Sequence, residues 1–192
     1  MKTIISAQQA IFFTKSGFIE FEQSLEKIYP LLHTTGRDIW RNTPVLQNFL
    51  LRTLAPIALT LTGKNSLRLG CDHCFLREEL PKKKGTLKEL VSIQGMAICA
   101  AIAENPIMPK RPSPLGILPE PTKSNHVLFF KPDLILDWPS VSNNLYIVIY
   151  ALPNAVYVHN SHDPFTNNLK AFGYHFGDVL KNEFHPAILE NT

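Results

Sequence analysis

Hydrophobic residues recur with the period of a helix through much of the first half of the chain. From Phe18 to Leu32 they are spaced by three or four positions, which places them on one helical face. Thr43, a capping residue, precedes Pro44, which suits the first turn of a helix because that position needs no N–H donor. A second helix is therefore predicted from Thr43 to a stop at Gly63.

A third helix and a proline-rich segment are predicted next. Thr86 and Glu89 have the spacing of a capping box, and hydrophobic residues continue in helical register to about Glu104. Residues 105–125 contain six prolines, which disfavour both a helix and a central strand because proline has no N–H donor and a fixed φ. We interpret this segment as an extended connector.

The last third of the chain has the pattern of β-strands. Residues 126–131 form a short apolar run, and residues 145–150 form a continuous β-branched and aromatic run, as in a strand buried on both faces. Residues 153–154 predict a turn, after which residues 155–158 return as the partner of a hairpin. Asp163 can cap a final helix.

These elements predict an α+β fold, with a helical N-terminal half and a small, mainly antiparallel sheet plus a terminal helix in the C-terminal half. The chain divides into a helical part with a cysteine-containing basic segment (1–104), the proline-rich connector (105–125) and a β-hairpin or sheet with a C-terminal helix (126–192). A length of 192 residues suits one compact domain for all three parts.

The charge distribution changes this picture, because it predicts a basic surface. The formal net charge is only +3, but residues 64–131 carry a net charge of +5 and residues 132–192 carry −4. Clustered cations suit phosphate contacts, since each neutralised phosphate releases condensed counterions. We expect these cations to contact DNA or RNA. The predicted contact residues are Arg68, Arg77, Lys82, Lys83, Lys84, Lys88, Lys110 and Arg111.

The three cysteines suggest a metal site next to the basic segment. Cys71 and Cys74 have the spacing of one half of a zinc site, and Cys99 follows within the same region. Zn²⁺ is the expected cofactor, with a fourth ligand from a distant histidine such as His126 or His159. Two alternatives stay open: reduced thiols with Cys99 in the core, or a redox-active dithiol formed by Cys71 and Cys74.

A histidine-rich turn offers a different chemistry. His159, His162 and Asp163 lie close together in the sequence, and a histidine–carboxylate set can bind a metal or, beside Ser161, support nucleophilic catalysis. The glycine-rich phosphate-binding motifs and the Gly-x-Ser-x-Gly nucleophile motif do not occur in the sequence. The simpler interpretation of the turn is structural, since Asp163 can act as a helix cap and the histidines as polar surface residues.

The sequence thus predicts a non-enzymatic, nucleic-acid-binding subunit of a nucleoprotein complex, with nucleic acid, other protein subunits or both as partners. The alternatives are a small hydrolase or metal-dependent enzyme that uses His159, His162 and Asp163, and an effector or adaptor that acts by protein–protein contacts. The N-terminus lacks the apolar core of a signal peptide, and an odd number of cysteines argues against a disulfide framework. We expect a cytoplasmic protein without membrane association.

Overall fold

In the part of the chain that the structure describes, seven strands form one antiparallel sheet. The computed structural model describes residues 5–33, 36–104 and 116–189, without the side chain of His33. The strands are β1 (Phe18–Glu22), β2 (Gly36–Arg37), β3 (Ser66–Phe75), β4 (Ile93–Ala103), β5 (His126–Phe130), β6 (Leu145–Tyr157) and β7 (Ala187–Leu189). Their spatial order is β1-β5-β4-β6-β3-β2, and β7 pairs with β3 beside β2.

The longer helices of the described residues all lie before β3. Helix α1 (Ala7–Ser16) begins at a capping box in which Gln9 N donates to Ser6 Oγ and Ser6 N donates to Gln9 Oε1. The second helical stretch joins α2 (Pro44–Asn48), a π-helical segment (Phe49–Leu54) and α3 (Ala55–Thr62). Short 3₁₀ turns occupy Tyr29–His33, Ile39–Asn42, Arg77–Glu79, Leu87–Glu89, Trp138–Ser140 and Asn168–Phe172.

Both faces of the sheet are buried, one against helices and the other against 3₁₀ turns and loops. One face, here called the helix face, packs Tyr146 and Tyr150 of β6 against Leu50 and Leu54 of the second helical stretch. The other, here called the loop face, packs the alternate residues of β6 against the 3₁₀ turns and connecting loops. Side chains that cover it include Leu87, Trp138, Leu169 and Tyr174. Because β6 is buried on both faces, its sequence is a continuous apolar run instead of an alternating one.

A β-bulge at Gly70 decides which side chains of β3 reach each face. The pairing of β3 with β6 shifts register between Leu69 and Cys71, so the alternation of side chains changes phase there. Leu69 lies on the helix face before the bulge and Cys74 lies on that face after it, whereas Cys71 lies on the loop face. A Cβ atom at Gly70 would lie 3.1 Å from the carbonyl oxygen of Ile149, which favours glycine at this position.

The predicted α+β fold with a helical N-terminal half is wrong, because the structure is mostly a curled antiparallel sheet and two of the predicted helices contain its strands. Residues 18–22 form β1, and the segment predicted as the third helix contains only a 3₁₀ turn before β4. Ile93–Ala103 is buried on both faces of the sheet in its second half, so its apolar residues show no alternation. A run of this kind fits a helix or a buried strand equally well by periodicity.

Other elements follow the prediction more closely. The helix from Pro44 is confirmed, and it ends at Gly63 with φ +60°. The strand at residues 145–150 is confirmed and is buried on both faces, but it continues to Tyr157, so the predicted hairpin is wrong. The predicted final helix is reduced to the 3₁₀ turn at Asn168–Phe172. The division of the chain into three parts stays a prediction, and residues 105–115 of the connector lie outside the described residues.

Candidate functional site

A buried polar cluster lies on the loop face, at the edge formed by β2 and β3. Arg37 of β2 pairs with His73 of β3 in the sheet register. Ser92 immediately precedes β4, and Asp163 lies in the loop after β6. All four residues are shielded from solvent, since His73, Ser92 and Asp163 are buried and the Arg37 side chain is only 6% exposed. The fold therefore gathers these residues from four distant positions in the sequence.

Asp163 accepts hydrogen bonds at both carboxylate oxygens. Arg37 Nη1 donates to its Oδ2 over 2.6 Å, and the backbone N–H of Ser92 donates to the same oxygen over 2.8 Å. The Ser92 hydroxyl lies 2.7 Å from Oδ2 and 2.8 Å from Thr166 Oγ1. The backbone N–H of Phe165 donates to Oδ1 over 2.9 Å. The charge of this buried carboxylate is thus compensated by a guanidinium and by local donors, as a buried ion requires.

Arg37 also contacts His73 and an aromatic ring. Its Nε lies 3.4 Å from Nδ1 of His73, and its guanidinium carbon lies 5.0 Å from the centre of the Phe165 ring. The His73 ring stacks on Phe75 with 3.8 Å between centroids. Burial, together with the nearby guanidinium charge, lowers the pKa of His73 to about 3. His73 is therefore neutral at physiological pH and can accept from Arg37.

The space left beside this cluster is very small. A cavity of about 20 Å³ lies next to it, and its lining includes Arg37, Cys71, Ser92, Tyr157 and Phe165. A cavity needs roughly 10–15 Å³ of such volume to hold one water molecule. The cluster can accommodate about one water, so it has no room for an organic substrate in this conformation.

The predicted zinc cofactor is wrong, because the described structure shows no zinc-binding group. Cys71 and Cys74 are free thiols that lie on opposite faces of the sheet. Cys99 lies on the loop face in β4, and all three cysteines are buried. The Sγ of Cys74 lies 3.1 Å from the carbonyl oxygen of Leu32. Side chains on opposite faces of a strand cannot bind one ion, so the spacing that suggests a zinc site in a loop does not do so here.

The predicted nucleic-acid contact residues stay a prediction, and the structure places the described ones in different surroundings. Arg68 donates to the carbonyl oxygens of Pro153 and His185, and Arg77 donates to that of Pro139. These guanidinium groups serve the connections between loops and strands. Arg68 also donates to Asn182 Oδ1, so both guanidinium groups have hydrogen-bond partners within the protein.

The predicted lysines are divided between different surroundings. Lys84 forms an ion pair with Asp137 over 3.3 Å. Lys82 and Lys83 are exposed in the loop after the 3₁₀ turn at Arg77–Glu79, and Lys88 lines a groove described below. Lys110 and Arg111 lie outside the described residues.

The histidine-rich turn does not form a catalytic set. Asp163 is buried against Arg37, whereas His159 and His162 are exposed. The His159 ring contacts Phe176 with 5.3 Å between centroids, and the backbone N–H of His162 donates to Asn160 Oδ1. The structure thus keeps Asp163 of the predicted set in the buried cluster and leaves the two histidines on the surface.

A much larger groove lies at the end of the sheet where β4 begins and β5 ends. Its volume is about 420 Å³. The floor includes Phe13, Leu61 and Met96, which are buried side chains. Three lysines also line it, namely Lys64, Lys88 and Lys131. Pockets that take small organic molecules in proteins have volumes of about 300–1,000 Å³, so the groove is large enough for such a ligand.

The architecture is that of solved enzymes of natural-product biosynthesis. Over 96% of both chains it is similar to the non-heme alpha-ketoglutarate-dependent carbocyclase SnoK from nogalamycin biosynthesis, with a TM-score of 0.69 and 14% sequence identity. It is also similar to the epimerase SnoN, which was solved in complex with Fe³⁺, alpha-ketoglutarate and nogalamycin RO. That match has a TM-score of 0.66 and 12% identity over 94% of this chain and 97% of the other. No family model and no curated protein matches the sequence.

This shared fold corrects the predicted function as well as the fold class. The structural neighbours are enzymes, namely an alpha-ketoglutarate-dependent carbocyclase and an epimerase solved with Fe³⁺. The prediction of a non-enzymatic, DNA- or RNA-binding subunit is therefore wrong. The alternative of a metal-dependent enzyme agrees better with the neighbours, although the residues predicted for it, His159, His162 and Asp163, are not brought together.

The residues of the chain do not fit the iron that the neighbours suggest. Non-heme Fe(II) oxygenases typically bind the metal with two histidines and one carboxylate. The described residues contain no group of three His, Cys, Asp or Glu side chains placed to hold a metal ion. Beyond them, the sequence adds one such side chain, Glu190, and the imidazole of His33. On the loop face, His73 and Asp163 both contact the guanidinium of Arg37, a cation that would repel a metal ion placed between them.

Among the described residues, one helical stretch, Pro44–Thr62, is long and apolar enough to cross a membrane. Half of its apolar window is buried inside the protein, and its side chains form the helix-face core. A core helix of a globular protein passes the same length and composition test. The chain has the fold of a soluble protein, and the structure assigns no cellular compartment.

Sequence reasoning missed Arg37, His73 and Ser92 as members of the polar cluster. Arg37 belongs to no recognisable motif. His73 lies between Cys71 and Cys74, whose spacing favoured a zinc site instead. The partners within the cluster are separated by 36 to 126 positions. Without the strand pairing of β2 and β3, no local signal brings these residues together.

Proposed function

We propose that this chain is a small-molecule-binding protein that uses the fold of SnoK and SnoN without a resident iron ion. The observation that carries the proposal is the position of the Arg37 guanidinium, which contacts both His73 and Asp163. A metal ion between these two side chains would compete with Arg37 for the lone pair of His73 Nδ1 and would lie next to the guanidinium charge. The guanidinium therefore supplies the positive charge that Asp163 requires.

The distribution of space in the molecule supports a binding site away from this cluster. The cavity beside Arg37 has room for about one water, whereas the groove at the end of the sheet has a volume of about 420 Å³. Side chains of the loop face, such as Tyr157 and Leu169, fill the interior next to the cluster. A ligand of useful size is thus better accommodated in the groove.

An iron-binding titration tests the metal-independent function. Chelator-treated protein is incubated anaerobically with Fe(II) and alpha-ketoglutarate, separated from free metal by gel filtration and analysed for iron. We expect a stoichiometry far below one iron per chain, with SnoN, which was solved with Fe³⁺ and alpha-ketoglutarate, treated in parallel as the positive control. A stoichiometry near one that is lost in the variants His73→Ala and Asp163→Asn would overturn the proposal.

A metal-dependent enzyme is the second candidate, because the fold is shared with SnoK and SnoN. This candidate requires a ligand set that includes His33 or Glu190, or a rearrangement that separates Arg37 from Asp163. The same titration distinguishes the two candidates. Tight iron binding accompanied by consumption of alpha-ketoglutarate would favour the enzyme.

The compartment and the association with other protein subunits remain proposals. A cytoplasmic location is supported by three free, buried thiols, since unpaired cysteines are typical of reducing compartments. Separation of the native protein by size, with detection of co-eluting subunits, tests the proposed association.

A further inference from the structure

The lysine groove at the end of the sheet joins an apolar floor to a cationic wall. Phe13 comes from α1, Leu61 from α3 and Met96 from β4, and all three side chains are buried. Phe13 and Leu61 belong to the helix-face core and Met96 belongs to the loop-face core, so the packing of both faces holds the floor in place. An apolar floor of this kind favours a ligand with a hydrocarbon body, since its burial removes apolar surface from water.

The lysines of the groove have little charge compensation from the protein. Lys64 and Lys88 are exposed, and no ion pair of the described residues involves either of them. One carboxylate, Asp133, lines the groove with the three lysines. The lining therefore has a formal net charge of +2, which attracts an anion and repels a cation.

Lys131 is positioned by the protein in a way that the other two lysines are not. Its Nζ donates to the carbonyl oxygen of Thr14 over 2.9 Å and lies 5.9 Å from the centre of the Phe13 ring. An ammonium group has three N–H donors, so two donors remain for a ligand. Lys131 thus connects the apolar floor at Phe13 with the cationic wall.

We infer that the groove binds an organic anion with an aliphatic body. The anionic head group of this ligand contacts Lys131, Lys64 and Lys88. Its aliphatic chain packs on Phe13, Leu61 and Met96. This inference rests on the proposed function and names the class of ligand. The shared chemistry is an amphipathic anion, and its head group is a carboxylate or a phosphate. Both head groups accept hydrogen bonds from ammonium donors, so the experiment compares them directly.

Calorimetric titrations with octanoate and octyl phosphate test the site, with octylamine as the cation of matched chain and inorganic phosphate as the head group alone. In chelator-containing buffer, we expect saturable binding of at least one octyl anion and none of octylamine. The stronger of the two octyl anions identifies the head group. Inorganic phosphate is expected to bind more weakly than octyl phosphate if the phosphate head group is preferred, because it lacks the chain that the floor accommodates.

Two double variants with the same change in charge map the site. Lys64→Glu with Lys88→Glu is expected to weaken binding of the preferred octyl anion by about tenfold or more, because both reversals face the head group. Lys82→Glu with Lys83→Glu changes the same number of exposed charges away from the groove, and its effect is expected to be clearly smaller. Lys131→Met, which retains an apolar side chain of similar length, is expected to weaken binding as well.

The outcomes separate this inference from the proposed function. If neither octyl anion binds, if octylamine binds equally well, or if both double variants weaken binding alike, the groove is not an anion site, and the iron result is unaffected. If an octyl anion binds only after Fe(II) is added, the metal-independent function fails, while the variants still locate the anion. If an octyl anion binds in the presence of chelator, and only substitutions of the groove lysines weaken that binding, the result supports both the anion site and the metal-independent function.

Discussion

Arg37 and Asp163, which are 126 positions apart in the sequence, form an ion pair with 2.6 Å between Nη1 and Oδ2. Their side chains are 6% and 0% exposed, so the pair lies almost entirely out of water. It joins the edge strand β2 to the loop that follows β6. The same guanidinium contacts His73, which makes Arg37 the centre of the polar cluster on the loop face.

Removal of the Arg37 charge is expected to destabilise the protein strongly. In Arg37→Met the carboxylate of Asp163 stays buried without its cation, and breaking a buried pair in this way typically costs about 3–5 kcal/mol. Urea denaturation measures the free energy of unfolding. The control Lys83→Met removes an exposed cation and is expected to have little effect.

A double variant separates the loss of the pair from the loss of the arginine side chain. Arg37→Met combined with Asp163→Asn leaves no unpaired buried charge, so its cost is expected to be less than the sum of the two single variants. A strictly additive result would show that Arg37 and Asp163 do not interact in solution, and the interpretation of the cluster would be wrong.

Gly95 is expected to be far less tolerant of substitution than Gly63. Both have positive φ, +94° and +60°, but a Cβ atom at Gly95 would lie 3.0 Å from Cα of Ala155, whereas nothing lies within 4 Å of one at Gly63. Gly95→Ala therefore combines backbone strain with a clash between β4 and β6, and Gly63→Ala has the strain alone. Thermal unfolding should show the larger decrease in midpoint for Gly95→Ala, and equal decreases would contradict the close approach of the strands.

The three cysteines are expected to be unreactive in the folded protein. All three are buried, and burial raises the pKa of each thiol, to about 12 for Cys74. The thiolate is the reactive form. A chromogenic disulfide reagent should therefore react with all three only in denaturant. Fast reaction of one native thiol would show that its part of the sheet opens to solvent.

The elements that could be predicted from the sequence are those with strong local signals. Pro44 and Gly63 mark the ends of a helix by backbone chemistry that needs no tertiary partner. The β-branched and aromatic run at residues 145–150 favours a strand wherever it is buried. These elements were found because local and tertiary preferences agree.

The elements that were missed depend on tertiary context. The capping box at Thr86 and Glu89 is present, but it begins a 3₁₀ turn of three residues instead of a long helix. The apolar residues of β4 are covered on both sides by the sheet's two cores, so no alternation marks them as a strand. The candidate site could not be predicted for the same reason, because Arg37 and His73 meet only through the pairing of β2 with β3.

Protonation of His73 is expected to destabilise the protein in acid. Its pKa is lowered from 6.5 to about 3, mainly by burial and then by the Arg37 charge, so the unfolded chain binds this proton more readily than the folded one. The contribution of His73 to stability is thus complete above pH 6.5 and is lost as the pH falls toward 3. His73→Phe, which keeps a ring against Phe75, should unfold with a weaker dependence on pH between 6.5 and 4.

The surface histidine His159 provides the control for this measurement. It is exposed, so His159→Ala is expected to unfold with the same pH dependence as the parent. The free energy of unfolding is measured in urea at several pH values for all three proteins. If His73→Phe and the parent show parallel profiles, His73 does not stay neutral in the folded state.

Asp72 is expected to act in the opposite direction, on the other face of the sheet. Its Oδ2 accepts hydrogen bonds from the backbone N–H of Trp40 over 3.0 Å and from the Tyr146 hydroxyl over 2.6 Å. Burial raises its pKa from 3.8 to about 7, although the hydrogen bond from Tyr146 partly offsets this. The folded protein therefore holds a proton that the unfolded chain releases near pH 4. The stability that this proton provides is complete below pH 4 and is lost as the pH rises through 7.

The variant Asp72→Asn isolates this effect, because an amide oxygen can still accept from Trp40 and Tyr146 but does not ionise. Between pH 4 and 7, the free energy of unfolding of the parent should fall relative to that of Asp72→Asn by up to about 1.4 kcal/mol per pH unit. Above pH 7 the difference should become constant. Because His73 changes the stability of both proteins equally, the comparison removes its contribution. A difference that does not vary with pH would mean that Asp72 is ionised in the folded state, and that its burial is relieved by water.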